Sequence, residues 1–316
     1  MKLYTIKNEY QTLVFLNYGA SIYQWLAFED RTNIVITNNN LADYLDPDNG
    51  YFGSTIGRFA NRINQGEFIL NDHKYNLDPN FHGNNHAHGG NNGFWRKKFY
   101  VVSHEETKIV FRYVSNHLEE NYPGNLTLDV TYQLDQNKLH LTYDAICDQD
   151  TIINITNHSY FNLSKEDSII NHHLYVSSNR VLETNQDLIP TGKMVSLEGK
   201  SYDLKNSPLI KHTLNHPDLL KTQGIDLTYM FEEEKKVVLS FNNRRLSIST
   251  SYPSVQIFTG NIIFPQEFLD RTKVKHYGVA IEPQFEPDAI NHLHFSDVIL
   301  KKGQKYHHTI EYEIDE

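Results

Sequence analysis

Residues 126–147 read LTLDVTYQLDQNKLHLTYDAIC, and the spacing of their apolar positions decides the fold class. Leu126, Leu128, Val130, Tyr132 and Leu134 recur at every second residue, which places them on one face of an extended strand with polar residues on the other. After DQNK the alternation restarts at Leu139, so the stretch predicts two antiparallel strands joined by a tight polar turn. FYVVSHEETKIVFRYV (99–114) and KKVVLSFNNRRLSIST (235–250) repeat the format. Long helical periodicity is absent; LADYL at 41–45 and HPDLLK at 216–221 predict only short helices. Many strands with turn signals at short intervals argue for an all-β protein, a large antiparallel β-sandwich or barrel.

The chain has 316 residues, and a prior of about 150 residues per domain suggests two domains. Large β-sandwiches routinely exceed that length, and no Gly/Ser-rich or Pro-rich linker, low-complexity tract or internal repeat divides the chain, so 1–316 is expected to be a single domain. The composition is 39% hydrophobic with no apolar run of the roughly 18 residues that a membrane helix needs. MKLYTIKNEY lacks the apolar centre of a signal peptide, and a lone cysteine, Cys147, excludes an intramolecular disulfide framework. A cytoplasmic location is expected. Cys147 falls inside an alternating strand pattern, where it reads as a small buried apolar residue rather than a nucleophile. The formal charge of −10 argues against nucleic acid and anionic membranes as partners and is compatible with a neutral small substrate. FEEEKK at 231–236 reads as a solvated turn.

Three stretches are candidates for chemistry. FHGNNHAHGG (81–90) packs His82, His86 and His88 into seven positions. On a strand, His86 and His88 would share a face and could ligate one ion, but the surrounding Gly and Asn residues predict a loop, where that spacing has no set geometry. The pairs in NHHL (171–174) and YHHT (306–309) read as exposed strand positions on alternating faces. In NITNHSYFNLS (154–164), His158 is surrounded by hydrogen-bonding side chains able to orient an imidazole, although spacing alone favours a satisfied structural histidine. In YGVAIEPQFEPDAINH (277–292), Glu282 follows the apolar run VAI and precedes Pro283, which predicts a strand end and makes Glu282 either a general base or a salt-bridged carboxylate.

Together these stretches resemble the aldose 1-epimerase family, the galactose mutarotases, in that family's order. YFGSTIGRFANRI (51–63), HAHGG (86–90), TNHSYFNL (156–163), LIPTG (188–192), GID (224–226), SVQIFTGN (254–261) and IEPQFEPDAIN (281–291) carry the likeness across most of the chain. The resemblance implies a galactose mutarotase-like supersandwich, a sugar substrate, no cofactor and no metal, and a monomer or homodimer. It implies that His158 is the general acid and Glu282 the general base, and that Asn61, Arg62, His88, Asp226 and Gln256 bind sugar hydroxyls with Tyr160 flanking the acid. Arg58 is expected to be structural, and His82 and His86 receive no role. Several positions depart from the family pattern: Ala87 stands where Leu is common, Leu227 where His often follows the aspartate, Pro283 where Thr is usual, and Phe285-Glu286-Pro287-Asp288 where His-Phe-Pro-Asp is usual. These changes leave acid and base in place and bear on sugar specificity.

The implied reaction interconverts the α and β anomers of a free hexose such as galactose or glucose. The base takes the proton of the anomeric hydroxyl and the acid supplies one to the ring oxygen, with the two groups expected on opposite sides of the acetal and the imidazole held protonated by a carboxylate. Phe52, Phe94 and Trp95 are candidates for a wall against the sugar. Three rivals remain at this stage. They are a hexose-phosphate epimerase of the same fold, a non-catalytic carbohydrate-binding or sensing protein, and a metal-dependent β-barrel enzyme using His82, His86 and His88.

Overall fold

A computed structural model describes residues 1–316. Two large antiparallel sheets dominate it. The first has eight strands in the order Tyr100–His104, Lys108–Ser115, Leu126–Asp135, Lys138–Cys147, Lys305–Asp315, Arg244–Thr250, Lys236–Phe241 and His173–Val176. The second has seven, in the order Pro190–Ser196, Ser178–Thr184, Asp226–Phe231, Ser254–Phe258, Val279–Gln284, Tyr160–Phe161 and Val35–Ile36. A four-stranded meander, Leu3–Lys7, Thr12–Leu16, Ser21–Ala27 and Thr32–Asn33, opens the chain.

The 126–147 hairpin forms as its pattern predicts. Its register runs from Leu126 opposite Cys147 to Asp135 opposite Lys138, and Gln136, with φ 51, starts the two-residue turn. Leu126, Leu128, Val130, Tyr132 and Leu134 all face inward, into a hydrophobic cluster of 53 buried residues. The same cluster takes Val255, Ile257, Val279 and Ile281 from the seven-stranded sheet and Phe15 and Trp25 from the meander, so it is the filling of the sandwich. Each fully buried Leu, Ile or Phe there contributes on the order of 1.5–3 kcal/mol. Cys147 is buried in this cluster.

Helix is nearly absent. Leu41–Leu45 and Pro217–Leu219 are single 3-10 turns, the first capped by Asn40, whose side chain accepts from the Ala42 N–H. Glu232, Glu233 and Glu234 are exposed in the turn before Lys236–Phe241.

Two expectations need correction. His172 is buried rather than exposed, and its Nε2 accepts the Leu163 N–H at 3.0 Å, while His173 is exposed as expected. Glu282 does not end a strand: Val279–Gln284 continues through Pro283, which pairs with Val255. Proline is tolerated there because the neighbouring strand Tyr160–Phe161 covers only Val279 and Ala280, leaving Pro283 with a strand on one side.

Candidate active site

Three adjacent strands of the seven-stranded sheet carry the floor of the site. Their registers align Thr228, Gln256 and Glu282 in one row, and Asp226, Phe258 and Ala280 in the next. Because side chains alternate along a strand, Val255, Ile257, Val279 and Ile281 enter the sandwich core while Asp226, Gln256 and Glu282 share the opposite face. That second face is also covered, and all three polar side chains are buried.

His158 reaches the same face from the link between two short strands. Thr156–Asn157 pairs with Thr55–Ile56, and Tyr160–Phe161 pairs with Val279 and Ala280. Between them Asn157 bends the chain, its Oδ1 accepting from the Ser159 N–H at 3.0 Å and the Ser159 hydroxyl at 2.6 Å. The His158 backbone is held at both ends: Gly53 N–H donates to its carbonyl and its own N–H donates to Ser54 O. Gly53 must be glycine, since φ is +71° and a Cβ would fall 2.1 Å from Ile22 O. The outcome is His158 Nε2 at 3.5 Å from Glu282 Oε1, both side chains almost fully buried. The Tyr160 ring lies 5.0 Å from the imidazole.

A third wall comes from Asn61, Arg62 and His88. His86–Ala87 pairs with Arg62–Ile63, after which the His88 N–H donates to Asn61 O at 2.9 Å and the Asn61 N–H donates to His88 Nδ1 at 3.4 Å. Accepting at Nδ1 places the proton on Nε2, so His88 keeps a donor to offer. The chain approaches this wall so closely that a Cβ on Gly89 would lie 1.8 Å from Gly57 O, which accounts for the first glycine of His-Gly-Gly. Arg62 donates to Asp226 Oδ2 at 2.9 Å and to Leu188 O at 3.1 Å. Asp226 Oδ1 accepts from Gln256 Nε2 at 2.5 Å, and Gln256 Oε1 accepts from the Thr228 hydroxyl at 2.5 Å. Asp226 therefore meets a ligand with lone pairs left over from two protein bonds.

All eight residues expected at the site, His158, Glu282, Asn61, Arg62, His88, Tyr160, Asp226 and Gln256, line one cavity of about 160 Å³. The aldose 1-epimerase family model matches residues 2–313. The chain is 34% identical to the galactose mutarotase of Sus scrofa over 93% of its length and 88% of that protein's. It is 30% identical to the aldose 1-epimerase of Escherichia coli K12, over 83% and 80%. The chain belongs to the aldose 1-epimerase family. An aldose epimerase homologue from C. elegans superposes on this member with a TM-score of 0.90 at 27% identity, covering 99% of this chain and 98% of that one.

The three histidines of the 81–90 segment of this epimerase part ways. His86 is buried, its Nδ1 donating to Asp78 O and its Nε2 accepting from the Tyr122 hydroxyl, both at 2.8 Å, and burial holds it at about 4, hence neutral. His88 lines the cavity, and burial, reinforced by His158 and Arg62, lowers it well below the ordinary imidazole value. His82, which sequence reasoning left without a part, also lines the cavity. No group of three His, Cys, Asp or Glu side chains is gathered to hold a metal.

Arg58 is structural: it is buried, donates to Pro123 O, Gly124 O, Thr151 Oγ1 and Ser115 Oγ, and does not line the cavity. Phe52, Phe94 and Trp95 are buried core residues; besides Tyr160, the aromatic cavity walls are Tyr51, Phe81, Phe258 and Phe264. Leu188, Phe258 and Tyr51 lie inside segments whose family likeness was already visible, and that was the signal available for them. In the Phe285–Asp288 segment, Asp288 keeps the family's aspartate and holds the arginine wall, its N–H donating to Arg62 O and its Oδ1 accepting from Asn64 N–H. Ala87 is bracketed by the Asn80 side chain.

The electrostatics differ from a simple imidazolium–carboxylate pair. Burial drives His158 down to about 4. Burial, with the charge of Asp226 added and Arg62 opposing, pushes Glu282 well above the usual carboxylate range. Burial disfavours charge on both groups, which favours a neutral imidazole at His158 and a proton on Glu282.

Proposed function

We propose that this protein interconverts the α and β anomers of a free hexose through His158 as general acid and Glu282 as general base. The observation that carries the reading is the 3.5 Å approach of His158 Nε2 to Glu282 Oε1 in a cavity whose remaining polar walls are preset for hydroxyls. A binding module needs the walls but not a matched donor and acceptor of protons. The two groups stand 3.5 Å apart, close enough to serve one acetal. That suffices, because the anomeric hydroxyl and the ring oxygen are bonded to the same carbon.

One proton shared between the two groups is the inventory the reaction requires. With it on His158, reached by transfer across the 3.5 Å gap, Glu282 takes the anomeric hydroxyl proton while His158 protonates the ring oxygen and the C1–O5 bond breaks. Rotation about C1–C2 presents the other aldehyde face, and the reverse transfers close the ring and restore the pair. Arg62, Asp226, Gln256, Asn61 and the Nε2–H of His88 hold the sugar during that rotation. A phosphorylated hexose fits less well, since Arg62 is the cavity's lone guanidinium, no lysine lines it, and that guanidinium is bound to Asp226. One core cluster drawing on both large sheets supports a single unit over 1–316.

The names of the relatives make galactose the first sugar to try. Freshly dissolved α-D-galactose or α-D-glucose should approach its unchanged final rotation faster when the protein is present. Polarimetry with no acceleration at high enzyme concentration for either sugar overturns the reading.

A further inference from the structure

We infer that the tip of the Asn80–Asn85 turn, Phe81 and His82, is the specificity wall of this epimerase and contacts the C4 side of the sugar. The inference rests on the anomer-exchange reading and adds to it which edge of the sugar is discriminated, and by what.

Position is the first support. Glu282, Gln256 and Asp226 lie on three successive strands, so at about 4.8 Å per strand the Asp226 backbone is roughly 10 Å from that of Glu282. Arg62 is anchored to Asp226, and its guanidinium carbon lies 4.9 Å from the centre of the Phe81 ring. The Phe81 and His82 rings meet edge to face at 4.3 Å. This tip therefore stands at the end of the cavity away from the acid and base. With C1 at that pair, the carbon across the pyranose ring is C4, where galactose and glucose differ.

Construction is the second. The N–H groups of Asn80 and Phe81 both donate to Asn85 O, at 3.1 and 3.0 Å, and Asn85 Nδ2 donates back to His82 O at 2.7 Å. Asn85 Oδ1 accepts the Gln65 N–H at 2.8 Å, which ties the turn to the segment after Arg62. A fastened turn thus presents an exposed imidazole at the cavity wall.

Availability is the third. Arg62, Asp226 and Gln256 are bonded to one another, whereas the His82 ring makes no hydrogen bond within the protein, leaving its nitrogens free so that one of them can bond a hydroxyl.

The test compares wild type, His82→Ala and Phe81→Leu on α-D-galactose, α-D-glucose and a 4-deoxyhexose. Circular dichroism and thermal melting check that each variant is folded. Loss of one neutral hydrogen bond predicts a rise in KM of about 3- to 10-fold for the sugar whose C4 hydroxyl is bound, with kcat within about twofold. The galactose-to-glucose ratio of kcat/KM should shift at least about threefold, and the 4-deoxy sugar should not sense His82→Ala. An active wild type whose variants keep both KM values and the ratio overturns this inference alone, and equal losses on all three sugars do the same. An inactive wild type instead removes the anomer-exchange reading beneath it.

Discussion

The strands Leu126–Asp135 and Val279–Gln284 belong to the two sheets of one sandwich and use alternation in opposite ways. In the first, inward residues are buried and outward ones half-buried or exposed, because water covers the outer face. In the second, all six residues are buried. One face of that strand fills the sandwich, and the other carries Glu282 into the cavity and buries Gln284. A buried carboxylate without a full set of partners opposes folding, as Glu282 Oε2 does, so the second strand gives up stability where the first gains it. Chemistry sits where a sheet has two dry faces and one is polar.

That contrast can be broken most sharply at Glu282. Glu282→Gln should lower kcat by about 10²- to 10⁴-fold with the melting temperature unchanged or raised, and His158→Asn should act alike. A variant that melts early yet turns over normally would make Glu282 an ordinary structural carboxylate. Leu141→Ala, in the core of the hairpin, should do the reverse and cost about 2–5 kcal/mol in urea unfolding while the folded fraction keeps its kcat. The pH profile sharpens the comparison further. Because burial lowers His158 to about 4, the imidazole takes on no further proton until pH nears that value, and kcat/KM should hold down to pH 5. Below about 4 a second proton removes the last base and the rate drops about tenfold per unit. An acid limb at an ordinary imidazole value would contradict a dry site. Thr131→Val, on the wet face of the hairpin, should move stability by no more than about 0.5 kcal/mol and leave turnover alone.

Much of this was legible beforehand. The period of two at Leu126 to Leu134 and again from Leu139 forces one face inward whatever surrounds it, so class and hairpin followed from local pattern. Asn157 and Ser159 make their turn within two residues, and the family likeness of TNHSYFNL pointed to His158. The strand position of Glu282 was misread because Pro283 ordinarily ends pairing, and only the short reach of the adjoining strand excuses it. His172 was misread because adjacent histidines carry no period, whereas the fold buries one and wets the other.

From its residues alone, then, this chain declares an antiparallel sandwich, a family, and which side chains are suited to move protons or hold hydroxyls, because those properties reside in local pattern and side-chain chemistry. Tertiary structure decided the rest. It set His158 beside Glu282, separated the fates of His82, His86 and His88, sent Arg58 inward and Arg62 to Asp226, and left the pair's proton to be governed by burial. Distances between distant segments and the loss of water around a charge arise only when the sheets close, and no stretch of sequence contains them.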